Sequence, residues 1–114
     1  MKENINNETV NFGFLVSAFR NSFDLTQKEL GNLLRLSRAS VNRLEQIEDI
    51  KEVSDDLLFR FYYLTSRIMT SEIFDEIIKI NAKKLYDIIS ITLFERLNDK
   101  ADSFTLRLIL RNCK

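Results

Sequence analysis

The chemistry most visible in this sequence is that of three arginines, Arg35, Arg38 and Arg43, which fall in one short segment. A guanidinium is always charged and donates several hydrogen bonds in one plane, so it suits acceptors such as phosphate or guanine. The whole chain carries 17 basic and 17 acidic residues, and its net charge of 0 gives no general attraction to nucleic acid. Any such contact must come from the local placement of these arginines.

Catalytic chemistry has little support in the composition. The chain contains no His and a single Cys, Cys113, which excludes imidazole catalysis, His metal sites and thiolate clusters. No phosphate-binding glycine loop, nucleophile elbow or catalytic carboxylate pair stands out. We therefore expect no enzyme activity, no cofactor and no metal, and we interpret Cys113 as a bystander thiol.

The composition also predicts the fold class. Apolar residues make up 45% and charged residues 30%, as in ordinary globular proteins, and the absence of Pro with only two Gly favours helices throughout. No apolar run reaches the roughly 18 to 20 residues that span a bilayer, and the first ten residues lack the apolar core of a signal peptide. We expect an all-α protein located in the cytoplasm.

Two short helices are predicted around the arginines, after a polar arm over residues 1–9 and a first helix from about residue 10. Thr26 and Glu29 form a capping box that begins one helix, and Ser37 caps the next, which covers residues 37–46. With a turn of about three residues between them, these helices must cross at a steep angle. The apolar positions that would fill the corner are Leu30, Leu34, Leu36, Val41 and Leu44. The outward side of the second of these helices carries Arg38, Ala39, Asn42 and Arg43.

The second half of the chain continues with helical patterns. Ser54 is predicted to cap a fourth helix, and Thr70 or Ser71 to open a further helical region. The apolar stripe of the fourth helix is predicted to be Leu57, Phe61, Leu64 and Ile68. Residues 103–112 fit a strand by alternation and a helix by their cap, and we favour the helix.

The segment from Leu25 to Gln46, LTQKELGNLLRLSRASVNRLEQ, resembles the Cro and lambda-repressor type of helix-turn-helix. The residues of matching type are Leu25, Thr26, Gln27, Glu29, Leu30, Leu34, Ser37, Val41, Asn42, Leu44 and Glu45. Arg20 stands where this family often has an arginine that pairs with the glutamate matched by Glu45. The resemblance implies a bundle of about five helices over residues 10–69 and says nothing about the rest of the chain. For residues 70–114 the apolar patterns described above predict a helical extension.

The resemblance also implies a function: a sequence-specific regulator of transcription, a repressor, that binds double-stranded DNA with its recognition helix over residues 37–46. It assigns Arg38 and Ala39 to base edges, with Arg43 one turn on. Gln27 is expected to bond a phosphate and to brace the recognition residues. Further phosphate contacts are expected from Arg35, Ser37, Ser40 and Asn42, and a structural ion pair from Arg20 and Glu45.

Four positions depart from the family pattern. Gly31 stands where Ala is usual, and Asp24 where Gly is common. Arg35 occupies a turn position usually held by Gly, so either the turn is reshaped or the charge is useful near phosphate. Leu33 stands where a polar residue is usual, and we expect the extension to cover it, although isolated surface leucines are normal.

Residues 70–114 hold more large aliphatic side chains than a lone surface helix can bury. They must pack on the rest of the chain or on a second chain, and we expect a homodimer, with a larger monomeric core as the alternative. The second functional interpretation is an antitoxin or another protein-interaction partner that also binds its own operator.

Overall fold

The architecture is all-helical, as predicted. The computed structural model describes residues 10–112, and of residues 101–110 and 112 only the backbone; the arm over residues 1–9 and Cys113 lie outside the described residues. Within that range there are five α-helices, one 3-10 turn and no strand, and none of the helices is long and apolar enough to cross a membrane. The elements are α1 (Phe12–Ser22), α2 (Gln27–Leu34), α3 (Arg38–Leu44), the 3-10 turn (Ile50–Glu52), α4 (Asp55–Met69) and α5 (Glu76–Asn112).

The predicted caps of α2, α3 and α4 are all present. The Glu29 amide donates to Thr26 Oγ1 at 3.1 Å and the Thr26 amide to Glu29 Oε1 at 2.8 Å, which completes the capping box. Ser37 and Ser54 each accept a hydrogen bond from the amide three residues on, at 3.1 and 3.3 Å. Local side-chain chemistry therefore decides where these helices begin. Ser37 lies just before α3, which ends at Leu44, so this helix is shorter than predicted.

The prediction that Thr70 or Ser71 opens the next helical region is wrong. The Thr70 hydroxyl donates backwards to the carbonyl one turn earlier, at 3.0 Å, and so belongs to the end of α4. The cap of α5 is Asp75, whose carboxylate accepts the amide three residues on at 3.1 Å. From Glu76 a single helix continues to Asn112, so the segment that fits both a strand and a helix is helical, as we favoured.

One apolar core joins all five helices. The resemblance predicts about five helices within residues 10–69, but the structure has four α-helices and the 3-10 turn there, and α5 from the predicted extension packs on α1 and α4. On α4 Phe61 and Ile68 are buried as predicted, but Leu58 and Thr65 are buried in place of Leu57 and Leu64, which are half-buried. The α-helical core residues are Phe12, Val16, Phe19, Leu30, Leu34, Val41, Leu44, Leu58, Phe61, Ile68, Ala82, Leu85, Ile89 and Leu93.

Both glycines lie where two backbone segments touch. A Cβ at Gly13 would collide with the carbonyl oxygen of Glu45, and the Gly13 amide donates to the Ile47 carbonyl at 2.7 Å. A Cβ at Gly31 would lie 2.5 Å from the carbonyl oxygen of Leu36. The close approach of α2 to the turn after it therefore requires glycine at position 31.

Gly31→Ala is expected to destabilise the protein. Alanine gains about 1 kcal/mol of helix propensity over glycine, but the collision with the Leu36 carbonyl forces a backbone shift, and we expect a net loss of roughly 1 to 3 kcal/mol. Urea unfolding measures the effect. Asn32→Ala, at the exposed neighbouring position of α2, is the control and should be close to neutral. A stabilised Gly31→Ala protein would contradict the close approach.

An ion-pair cluster connects α4 to α5. Asp55, in the first turn of α4, accepts hydrogen bonds from Arg96 Nη1 at 2.7 Å and from Lys100 Nζ at 3.2 Å. Arg96 Nη2 also donates to the Lys51 carbonyl at 3.2 Å, so the same side chain holds the 3-10 turn. The hydrogen bond from Arg96, and after it the one from Lys100, lowers the pKa of the Asp55 carboxyl below its ordinary value.

The contribution of Asp55 to stability should depend on pH. Because its pKa is lowered in the folded state, the stabilisation is fully present above the ordinary Asp value of about 3.9 and is lost as the pH falls through the lower folded value. Asp55→Asn should therefore reduce the free energy of unfolding at pH 7, and the difference from wild type should shrink as the pH falls below about 4. Asp56→Asn, in the same turn but paired with Arg60 on its own helix, is the control. An equal and pH-independent effect of the two variants would argue against the inter-helix cluster.

Candidate nucleic-acid interface

In the turn between α2 and α3, Arg35 has the left-handed backbone conformation that glycine adopts most easily. Arg35 has φ 60° and ψ 45°, and the amides of Arg35 and Leu36 both donate to the Gly31 carbonyl. Such a conformation costs roughly 1 to 3 kcal/mol for a residue other than glycine. Of the two alternatives for this position, the turn is not reshaped, and the Arg35 side chain is exposed beside α3. Asp24 likewise has a positive φ, 56°, in the loop before α2.

Arg60 of α4 binds this turn, and sequence reasoning did not identify it. Its Nη1 donates to the carbonyls of Leu34 and Arg35, at 2.9 and 3.2 Å, and its Nη2 lies 2.9 Å from the Asp56 carboxylate. Carbonyls at the end of a helix lack helical partners, and Arg60 supplies one. No pattern around position 60 could have revealed this contact, because it joins residues 25 and 26 positions apart.

The structure contains the ion pair between Arg20 of α1 and Glu45 at the end of α3. Two parallel hydrogen bonds join them: Nε to Oε2 at 2.6 Å and Nη2 to Oε1 at 3.1 Å. Arg20 Nη1 also donates to the Leu25 carbonyl at 2.8 Å, just before α2. The side chains are only 16% and 9% exposed, and the hydrogen bond from Arg20 to Glu45 raises the pKa of the guanidinium. Arg20 therefore fixes the end of α3 relative to both α1 and the start of α2.

Glu45 also orients two amides on the surface. Gln27 Nε2 donates to Glu45 Oε1 at 3.1 Å and to Asn42 Oδ1 at 3.2 Å. The opposite orientation of the Gln27 amide would set its oxygen against the carboxylate, so Glu45 determines which way Gln27 faces. Because Gln27 presents a donor, Asn42 must turn its oxygen towards it. The Nδ2 group of Asn42 is then left for an outside acceptor, whereas both N–H bonds of Gln27 are used inside the protein.

One face of α3 is open to solvent while the opposite face lies in the core. Val41 and Leu44 are buried, and Ser40 is half-buried, with its hydroxyl accepting from Arg43 Nη2 at 3.1 Å. The hydroxyl of Ser37 donates to that of Ser40 at 3.0 Å. The exposed residues at the start and along the outer face of α3 are Ser37, Arg38, Ala39, Asn42 and Arg43. The predicted base-facing residues thus share one accessible surface with Ser37 and Asn42, and Arg35 lies beside it. Ser40 and Gln27, for which phosphate contacts were also expected, are only half-buried rather than exposed.

The surface next to this face is acidic. Arg43, Glu48 and Glu52 line a depression of about 640 Å³ behind the end of α3, together with apolar side chains such as Leu36 and Leu57. Glu48 and Glu52 are exposed, and carboxylates repel a phosphate backbone. The positive charge of α3 is therefore accessible from its outer face, at the Arg38 end, rather than from the side of the 3-10 turn.

Leu33 is not covered by the extension, so that expectation is wrong. It remains 56% exposed on α2, because α5 lies on α1 and α4 instead. In the part of the chain whose side chains are described, no three His, Cys, Asp or Glu residues come together as a metal site.

Comparison with protein-family models, with curated proteins and with solved structures finds no match for this chain.

The ion pair between Arg20 and Glu45 should be strongly coupled in stability. Arg20→Leu or Glu45→Leu alone leaves a mostly buried charge without its partner, so the double variant should lose less than the sum of the two. We expect a coupling of roughly 1 to 3 kcal/mol from a double-mutant cycle in urea. The control cycle is the exposed pair Lys83–Asp87, 2.9 Å apart on α5, with about 0.5 kcal/mol or less. Equal couplings for the two pairs would contradict this role.

Proposed function

We propose that this protein is a sequence-specific regulator of transcription that binds double-stranded DNA and reads the major groove with α3. The observation that carries the proposal is the exposed face of Arg38, Ala39, Asn42 and Arg43 on a helix whose other face is packed in the core. A reading helix must be both accessible and rigidly held, since misplaced donors lose their hydrogen bonds to base edges. The Cro and lambda-repressor resemblance of this segment supports the same function.

The arginines are the proposed readers of sequence. The guanidinium groups of Arg38 and Arg43 suit the O6 and N7 acceptors of guanine, and the methyl group of Ala39 suits a thymine methyl. Arg43 is held by Ser40 through one Nη group, which leaves its remaining donors for a base. With a net charge of 0, the protein should bind non-specific DNA weakly, so these contacts carry much of the affinity.

We assign the phosphate contacts to side chains whose hydrogen-bond donors are not used within the protein. Arg35 is exposed at the turn, and Asn42 offers its Nδ2 group. The half-buried Ser40 hydroxyl accepts from Ser37 and Arg43 and keeps its own proton to donate, whereas the proton of Ser37 is used for Ser40. Gln27 cannot donate to a phosphate without breaking a bond to Glu45 or Asn42, so we assign its side chain to bracing. Two-fold operators need two reading helices roughly 34 Å apart, and a homodimer supplies them.

A second candidate is a protein-interaction partner, such as an antitoxin that also binds its own operator. The exposed aromatic and aliphatic side chains of α4 and α5 favour it, because a DNA-reading monomer has no need of them. In both interpretations α3 binds DNA, and they differ in what covers this second surface. We place the regulator first because the binding partner there can be another copy of the same chain.

Selection of bound sequences from random duplexes should give one preferred site. Against that site, Arg38→Ala and Arg43→Ala should each lose roughly 5- to 150-fold in affinity, the equivalent of about 1 to 3 kcal/mol, and should each relax preference at one defined position. Gln27→Ala should weaken all duplexes more evenly, since it disturbs the orientation of Asn42. Fluorescence anisotropy at fixed salt measures each affinity.

The matched control is Arg67→Ala, which removes an exposed cation of α4 that hydrogen-bonds Tyr63. It should leave the affinity within about twofold, as expected when no base or phosphate contact is lost. Two outcomes would count against the proposal: wild-type protein without preference for any duplex at moderate salt, or the same uniform loss from all four variants.

A further inference from the structure

α4 and α5 form an apolar groove on the surface, away from the core. We define the α4/α5 groove by Phe59 and Tyr62 of α4 and by Tyr86, Phe94 and Leu97 of α5. Its volume is about 630 Å³, and Glu95 is the one charged residue along it in the described part of the chain. Phe94 is 65% exposed, Leu97 53% and Phe59 48%, so large apolar side chains of two helices face water together. Adjacent exposed apolar residues of this kind mark an interaction surface, unlike single ones.

Two stacked tyrosine rings form the floor of the groove. The rings of Tyr62 and Tyr86 are stacked with their centroids 5.1 Å apart and their planes at 25°, and their hydroxyls lie 3.5 Å from each other. Beneath them α5 is anchored in the core by Leu85, Ile89 and Leu93. A partner would therefore meet a surface that already has its shape, which lowers the entropy lost on binding.

We infer that the occupant of the α4/α5 groove is the same groove of a second copy of this chain, packed with Phe94 and Leu97 at the centre. A buried aromatic side chain removes about 150 to 250 Å² from water, so the exposed fractions here amount to roughly 400 Å² of apolar surface for each copy. Two copies together supply about 800 Å², close to the apolar share of a standard interface of about 1,600 Å². The net charge of 0 adds no repulsion between them.

The sequence of α5 beyond the groove also favours pairing with a second helix. Apolar or small residues follow at the spacing of a two-stranded helix pair, as Phe94, Leu97, Ala101, Phe104 and Leu108. Such spacing is typical of helices that pair with one another. Other exposed apolar residues, Ile73, Ile77 and Ile80, lie at and before the beginning of α5 and outside the groove, so the inference does not include them.

Sedimentation velocity of the full chain without DNA tests the inference. Wild-type protein should be a dimer in the micromolar range, and Phe94→Glu should weaken self-association by at least about 30-fold, as loss of a central aromatic anchor does. Leu97→Lys should weaken self-association in the same way. This second variant excludes the possibility that the loss comes from a disturbance peculiar to position 94. The control Ile77→Glu puts the same charge on an equally exposed position of α5 and should remain dimeric. Circular dichroism should give the same helix content for all four proteins.

A monomeric wild-type protein up to about 100 μM, a concentration at which even weak self-association is detectable, would overturn the inference and leave the groove to a different protein. Equal dimerisation of Phe94→Glu and Ile77→Glu would overturn it as well. Only the biological role of the dimer rests on the proposed function. A dimer that prefers no DNA sequence would contradict the proposed function alone. A monomer that binds DNA would contradict this inference alone.

Discussion

The ion pair between Arg20 and Glu45 is the interaction on which the candidate interface depends. It ties the end of α3 to α1 with two parallel hydrogen bonds, and because both side chains are mostly buried, water screens the pair little. Glu45 orients the Gln27 amide, and Gln27 in turn orients the amide of Asn42 on the surface. A side chain in the interior thus decides which hydrogen-bonding group the outer face offers.

Backbone contacts impose the second constraint on α3. The glycines at positions 13 and 31 allow α1 and α2 to touch the carbonyls of Glu45 and Leu36, one at each end of α3. Arg60 stabilises the left-handed turn at Arg35, because it donates to the carbonyls of Leu34 and of Arg35 itself. The free-energy cost of the left-handed conformation is therefore offset in part by a residue of α4. As a result, an arginine lies at the edge of the exposed face of α3.

α5 completes the core with one face and presents apolar side chains to water with another. One face completes the core through Leu85 and Ile89, and Arg96 with Lys100 fixes it to the start of α4. A different side, with Phe94 and Leu97, stays in water. The apolar residues of α5 are thus divided: some complete the core, and others line the α4/α5 groove.

The sequence by itself determined the all-helical class and the starts of α2, α3 and α4, because capping boxes and serine caps act between residues three positions apart. It also pointed to the residues that share the outer face of α3, since helical spacing assigns faces. The tertiary structure decided what depends on distant neighbours: the support from Arg60, the amide orientation of Asn42, the late start of α5 and the burial of Leu58 rather than Leu57. Those outcomes follow from contacts between separate elements, and local propensities do not encode such contacts.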